Sequence, residues 1–364
     1  MNKINHLPGI SSQFVETDRL RMHLLTAGSK EHTPMLFLHG NTCTSTIWEE
    51  FMLQFSDEFY CVAPDLRGFG DTEKKVIDAT RGIEDWLDDI TALIKKLDIP
   101  SFHLVGHSLG GFVCWGLIAR HAADILTVTL ISPGPPMGFG GIHGEQGKAN
   151  NPDYSGSGGG IVVSAFSDRL IAGDRSNEHP LYSPRNMMNR LFWKQGFEAD
   201  REEDILTAML QIHTGDKYYP GDYEESKYWP GVAPGRYGPV NALSPKYNQS
   251  LLHEFANAEP KPPLLWIHGK DDNIISDESF SDPGYQGKMK LREGWPGEEK
   301  FPPQPMESQI KYSLAEYQSM GGKVYREKIS DCGHTPFIEK PALTKRALLK
   351  HIQQKRKANK KFQQ

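Results

Sequence analysis

The chain has 364 residues, of which 38% are hydrophobic and 24% charged, and its formal net charge is -5. That is enough apolar material for one sizeable core carrying a large insertion, and the near balance of charge gives no reason to expect a nucleic acid or a membrane surface as partner. Met1 to Phe14 lacks the apolar stretch of a signal peptide and no run approaches the ~20 apolar residues of a membrane helix, so a soluble, cytoplasmic protein is expected.

Short apolar runs bounded by turn residues recur along the first third: Met35 to Leu38, Tyr60 to Ala63, Phe102 to Val105 and Thr127 to Ile131. Each reads as a buried parallel strand. Between them lie amphipathic stretches such as Gly82 to Leu97, with Ile83, Trp86, Leu87, Ile90, Leu93, Ile94 and Leu97 at helical spacing. Strand and helix in alternation predict a doubly wound, mostly parallel sheet of the α/β class.

After Ser132 the pattern breaks at Pro133, Pro135, Pro136 and the glycines between Gly134 and Gly144. The next hundred or so residues are rich in Tyr, Trp and Met, with helical stretches at Pro184 to Gln195 and Glu202 to His213. We read residues 1–134 as the first part of the core, 135–257 as an inserted, mainly helical cap, and 258–364 as the second part of the core. Within the cap, Ser155 to Gly160 (SGSGGG) reads as a lid hinge or a plain linker, the linker being the safer reading.

The core resumes with a strand at Pro263 to His268, a helix near Met306 to Met320, a strand at Val324 to Ile329 and a final helix from about Pro341. The connection at 276–305 is longer than most in compact domains, and such loops are usually functional or mobile. The Lys- and Arg-rich end from Lys345 to Gln364 reads as a solvated helix rather than a nucleic-acid or lipid patch. Cys43, Cys61, Cys114 and Cys332 lie far apart without CxxC or Cys/His spacing, so buried free thiols are expected, with no metal site and no cofactor.

Gly106-His107-Ser108-Leu109-Gly110 follows the strand 102–105 and leads into the apolar stretch Gly111 to Ala119. Strand, sharp turn and helix in that order make a nucleophile elbow, in which small neighbours let strand and helix approach while the Ser108 hydroxyl projects outward. A serine hydroxyl needs an adjacent base, and the base needs an orienting carboxylate. His334, in Asp331-Cys332-Gly333-His334-Thr335-Pro336, follows the strand 324–329 and so falls at the sheet edge where active sites of such sheets lie. The strand ending at His268 leads into Asp271 and Asp272. We take Asp272 as the orienting carboxylate, because a turn through Gly269 and Lys270 returns it over the sheet edge, and Asp271 is the substitute. An oxyanion needs backbone N–H donors, for which Leu109 and, after the strand 35–38, Asn41 are the candidates.

FLHGN at 37–41, PDLRGFGDT at 64–72, GHSLGG at 106–111, IHGKDD at 267–272 and DCGHTPFIEKP at 331–341 resemble the α/β-hydrolase superfamily over nearly the whole chain. The resemblance implies a capped α/β-hydrolase fold and a hydrolase, and leaves the substrate open. Epoxide hydrolases and haloalkane dehalogenases carry an aspartate where this chain has Ser108, so acyl transfer on a small-molecule ester or lactone is expected.

The cap contributes many aromatic side chains, among them Trp193 and Trp229, which with His107 are taken as candidate substrate contacts. Residues 198–225 are locally acidic, which would attract a cation at the roof of the pocket, although a solvated helix face explains the same charges. In overall layout the chain is similar to serine-dependent macrolide esterases, which implies ring-opening of a bulky, amino-sugar-bearing lactone and so antibiotic inactivation. Other readings are a general carboxylesterase or lactonase, a carbon–carbon bond hydrolase, or a ligand receptor on the same fold.

Overall fold

The computed structural model describes residues 4–362. Its frame is an eight-stranded sheet in the order β1-β2-β4-β3-β5-β6-β11-β12. The first six strands in sequence are β1 (Ser11–Glu16), β2 (Arg21–Ala27), β3 (Thr33–Leu38), β4 (Phe59–Pro64), β5 (Phe102–His107) and β6 (Ile125–Ile131). The insertion after β6 holds two small ladders, β7 (Ile142–His143) with β8 (Lys148–Ala149) and β9 (Tyr223–Glu225) with β10 (Val232–Pro234). The sheet is completed by β11 (Leu264–Gly269) and β12 (Val324–Ile329).

From β4 to β12 all pairings are parallel, and the predicted strands stand as expected, because an apolar run that is buried on both faces has no other stable use. The antiparallel hairpin of β1 and β2 at one edge was not predicted: β1 (SSQFVE) alternates exposed and half-buried residues and offers no apolar run. At the other edge β12 turns Arg326, Glu327 and Lys328 to solvent, which blocks further strand pairing.

Helices cover both faces. Neighbouring residues of β5 point to opposite sides: a Cβ at Gly106 would sit 2.4 Å from Cys114 Sγ of the helix Leu109–His121, whereas the His107 ring meets Trp48 and Phe337 on the other side. The helix Glu84–Lys96 buries Trp86, Leu87, Ile90, Leu93 and Ile94 as predicted. The basic end of the chain does form a helix, Pro341–Phe362, although its side chains beyond Lys355 lie outside the described residues.

All four cysteines are free and buried. Among the described residues no helix is long and apolar enough to cross a membrane, and no group of three or more His, Cys, Asp or Glu is arranged to hold a metal ion.

Between β6 and β11 the helices are short: Ser164–Ile171, Pro184–Leu191, Glu202–Met209, Pro239–Ala242 and Leu251–Ala256. The expectation of a mainly helical segment overstated its regularity, because Pro220, Pro230 and a run of glycines with φ between +90° and +118° at Gly221, Gly231 and Gly238 break the chain into turns.

The SGSGGG stretch is neither a lid hinge nor a plain linker but a packed crossing. Ser155 to Gly159 are buried; the Gly156 N–H donates to Val232 O at 2.9 Å and the Gly159 N–H to Asn241 Oδ1 at 2.8 Å.

The long connection at 276–305 also has structure. It holds the helix Pro283–Lys288, and Gln304 binds the insertion in both directions, accepting from the Gly140 N–H (2.7 Å) and donating to Gly138 O (2.9 Å).

Candidate active site

The order of the strands places the site. β4 extends the sheet to one side of β3 and β5 extends it to the other, so the loops leaving β3 and β5 part at their C-terminal ends and open a crevice there. Ser108 occupies the first turn after β5 with φ 53° and ψ -115°, a left-handed strain for a residue with a side chain. The turn is held by the Ser108 N–H donating to Ile131 O (3.1 Å) and by Ser108 O accepting from Phe112 (2.9 Å) and Gly134 (3.1 Å). Its glycines are sterically required, since a Cβ at Gly110 would stand 2.2 Å from Leu38 O.

The loop after β3 presses on the serine from the other side of the crevice. A Cβ at Gly40 would lie 3.1 Å from Ser108 Cβ and 2.9 Å from His107 Nδ1. His39 fixes this loop: its Nδ1–H donates to Gly40 O (2.8 Å) while its Nε2 accepts the Leu66 N–H (3.0 Å). Sequence reading treats His39 only as part of the HGN turn and misses this positioning role. Asn41 and Leu109, the two backbone candidates for an oxyanion hole, both line the cavity beside Ser108.

The ends of β11 and β12 bring together a buried carboxylate and a buried imidazole. His334 Nδ1 lies 2.8 Å from Asp272 Oδ2, and Asp272 Oδ1 accepts the N–H groups of Ile274 (2.8 Å) and Ile275 (2.9 Å). Burial alone would raise the Asp272 pKa, but the charge and hydrogen bond of His334, helped by His268 and the Ile275 amide, outweigh it and hold it to about 2. The carboxylate is therefore ionised and can only accept, so His334 donates its Nδ1–H to it, and Nε2 is the ring nitrogen that takes no part in the pair. Asp271 takes no part in this pair: it turns outward, accepting the Cys332 N–H at 3.2 Å and lying 3.8 Å from Lys194 Nζ.

The His334 loop has a clamp that sequence reading did not single out. The buried Glu339 carboxylate accepts the N–H groups of Gly333 (2.8 Å) and Thr335 (3.2 Å), on either side of His334, and that of Lys194 (2.9 Å) from the insertion. Glu339 stands within the FIEKP stretch, where its spacing of five from His334 was the available signal.

His107 lines the cavity beneath His334, with ring centroids 4.6 Å apart. Its Nε2–H donates to His334 O at 3.0 Å, its Nδ1 has no hydrogen-bond partner among the described residues, and burial, with the nearby His334, pushes its pKa well down, so it is neutral.

The two tryptophans taken as substrate contacts do not line the cavity, and for both the expectation is corrected. Trp193 is 1% exposed and backs onto the His334 loop, where a Cβ at Gly333 would come within 3.0 Å of its Cα. Trp229 packs edge-on against Phe301, 4.7 Å between centroids, and donates its Nε1–H to Glu293 O at 2.8 Å, joining the insertion to the 276–305 connection.

The cavity itself measures about 860 Å3, with Ser108 and His334 at its floor and the insertion and the 276–305 connection as walls and roof. The walls are mainly apolar, with Phe139, Phe166, Met187, Phe192 and Val240 among them, and the buried Tyr219 phenol reaches the Asn41 side chain. Among the described residues no Asp or Glu lines it, and the strong cations that do are Arg190 and Arg292. The acidic run at 198–225 does not reach the cavity: Glu202 and Glu203 pair with Arg185, and Asp204 pairs with Arg201. A cation-attracting roof is thus not what these residues build.

A mostly parallel eight-stranded sheet with a serine elbow after β5 and an acid–imidazole pair after β11 and β12 is the α/β-hydrolase fold. The model of the alpha/beta hydrolase family matches residues 35–347, and the chain belongs to that family. It is 34% identical over 126 residues to epoxide hydrolase 3 of Xenopus tropicalis, covering 33% of each chain. It is 37% identical over 99 residues to 2-(acetamidomethylene)succinate hydrolase of Mesorhizobium japonicum, covering 27% of this chain and 34% of that one. These matches span about a third of the relatives' length. Among solved structures, naproxen esterase from Bacillus subtilis superposes with a TM-score of 0.57 at 16% identity, over 94% of this chain and 90% of that one.

Proposed function

We propose that the protein is a serine hydrolase that cleaves a carboxylic ester or lactone through an acyl-enzyme. The observation that carries this reading is the buried Asp272–His334 hydrogen bond of 2.8 Å opening into the same cavity as the strained Ser108. His334 Nε2 takes the Ser108 hydroxyl proton as Oγ bonds to the substrate carbonyl carbon. The negative charge passes to the former carbonyl oxygen, where the Asn41 and Leu109 N–H groups stabilise it. Collapse expels the alcohol, which takes the proton from His334. A water, deprotonated by the same nitrogen, then releases the acid.

Opening an epoxide through a covalent intermediate suits this site less well, whatever the names of the relatives. An aspartate nucleophile gives an ester that water can cleave, but Ser108 would give an ether, which water does not cleave under these conditions. The same machinery serves a carbon–carbon bond hydrolase as the second enzymatic reading, and a ligand receptor on this fold would bind without turnover.

The apolar walls and the volume of the cavity favour a bulky acyl or lactone group. Ring-opening of a macrolide-type lactone falls within that range, but an amino-sugar-bearing one is disfavoured, since no carboxylate lines the cavity to meet its ammonium.

The test is a hydrolysis screen of esters and lactones from small to macrocyclic, with Ser108→Ala as blank and mass spectrometry for the trapped acyl-enzyme. Turnover that vanishes in Ser108→Ala, with the acyl group found on the Ser108 peptide, is expected. Turnover that persists in the variant would overturn the reading.

A further inference from the structure

The mouth of the cavity differs from its walls. Arg292 is half-buried there, and its guanidinium meets only neutral acceptors: Nε donates to Gln286 Oε1 (3.1 Å) and Nη2 to Ile161 O (2.7 Å). Arg190 is exposed at the rim, with Nη2 directed at Leu181 O (3.3 Å) and Met187 Sδ (3.1 Å). Among the described residues neither arginine has a carboxylate within 4.0 Å, whereas the neighbouring Arg169, Arg175, Arg185 and Arg201 are all paired. Arg190, Arg292 and Tyr182 all line this same cavity. Burial pushes the half-buried Arg292 down, the sign of a cation whose surroundings have replaced water without supplying a full counter-charge.

The acid whose charge bears on Arg292 is Asp282, and it is a poor counter-ion. It is fully buried as the cap of the helix Pro283–Lys288, accepting from Tyr285 (2.7 Å) and Gln304 (3.2 Å), and burial raises its pKa to about 7. An unneutralised pair of arginines at the entrance of an apolar cavity with no acidic lining is what a bound anion would complete. A planar fork of donors suits a carboxylate in particular.

We propose that Arg292 and Arg190, with Tyr182, form a carboxylate-binding subsite at the cavity mouth, so that the substrate is an ester or lactone carrying a carboxylate at the end remote from the scissile carbonyl. The apolar cavity between the two ends takes an aliphatic or aromatic spacer, while Ser108 lies at the floor. The statement of substrate class rests on the hydrolase reading above; the subsite itself does not.

Binding is therefore measured apart from turnover, by calorimetry on the Ser108→Ala protein with monomethyl suberate and dimethyl suberate as probes. The charged probe should bind about tenfold to a hundredfold more tightly, the range expected for hydrogen bonds to a charged group. The preference should shrink at high salt, fall to near unity in Arg292→Gln, and fall partway in the exposed-site variant Arg190→Gln, which carries little risk to the fold. Equal affinity for the two probes, no binding of either, or a preference that survives the double variant would overturn the subsite.

In kinetics, the p-nitrophenyl monoester of suberic acid should outperform p-nitrophenyl octanoate. Arg292→Gln should erase that advantage through KM with kcat little changed, since a remote anchor holds ground state and transition state alike. If no ester is turned over while the calorimetric preference stands, the hydrolase reading falls and the subsite remains.

Discussion

The floor of the cavity and its roof are built on opposite electrostatic plans. At the floor three carboxylates are partnered: Asp272 holds His334, Glu339 holds the loop around it, and Asp65 accepts from Ser45 (2.7 Å), His23 (2.7 Å) and Asp71 (3.0 Å) beneath the loop after β3. At the roof two arginines face an apolar cavity with neutral partners only. A floor that performs one kind of chemistry must be fixed before substrate arrives, whereas a roof that selects substrate leaves its strongest interaction unmade.

The sharpest break in that comparison is at the orienting carboxylate. Asp272→Asn should lower turnover by ~10^4-fold, because an amide at Oδ2 no longer fixes the proton on His334 Nδ1. Asp271→Asn, which touches only the Cys332 N–H and the exposed Lys194, should stay within a few fold. The two rate constants, measured on the same ester, decide it; the reverse order would exchange the residues' roles.

Glu339 comes next. Glu339→Gln keeps the volume but exchanges one acceptor oxygen for a donor facing backbone N–H groups, so the His334 loop should shift. Misplacement of a catalytic base by a fraction of an ångström is worth about tenfold to a hundredfold in rate. Thermal unfolding should show a loss of ~1–3 kcal/mol from the frustrated donors. Unchanged kcat with lowered stability would confine Glu339 to holding the insertion at Lys194.

Acid titration separates the floor from the roof by stability. Asp65 and Asp272 are both held to about 2 in the fold against an ordinary 3.8, in each case because the histidine partners outweigh the cost of burial. A carboxylate whose folded pKa is depressed contributes fully above its unfolded value and loses that contribution as pH falls toward the folded one. The share of the unfolding free energy carried by Asp65 and Asp272, measured by denaturant titration, should therefore be complete above pH ~4 and drop by a few kcal/mol on the way to pH ~2, apart from the effects that the buried His107 and Asp282 exert on their own. Asp65→Asn should flatten part of that slope, whereas Arg292→Gln should leave it untouched.

Legibility in the sequence divides along the same line. The strands at 35–38, 60–63 and 102–105 and the elbow at Ser108 could be read because each depends on a local pattern: an apolar run, or glycines where a Cβ would collide. The choice of Asp272 over Asp271 also rested on a local turn. The β1–β2 hairpin was not legible, being a half-exposed edge with no run to announce it. The roof was not legible either, because depth is set by tertiary contact. Arg190 and Arg292 look in sequence like any of the neighbouring cations, and the acidic run at 198–225 suggests a cation site until its residues are seen to pair with Arg175, Arg185 and Arg201.

Trp229 gives the smallest effect and the finest discrimination between wall and frame. From sequence it looks like a substrate contact, and truncation would then damage a large substrate more than a small one. In the structure its ring lies against Phe301 and its Nε1–H against Glu293 O, outside the cavity lining, so it fastens the 276–305 connection to the insertion. Trp229→Phe removes that hydrogen bond and keeps most of the edge-on contact, a loss of ~1 kcal/mol. Stability measured by chemical denaturation should fall by about that much, and kcat/KM for bulky and short esters should fall together or not at all. A selective loss on the bulky ester would return Trp229 to the pocket wall and would mean that the connection at 276–305 adopts a different closure when substrate is bound.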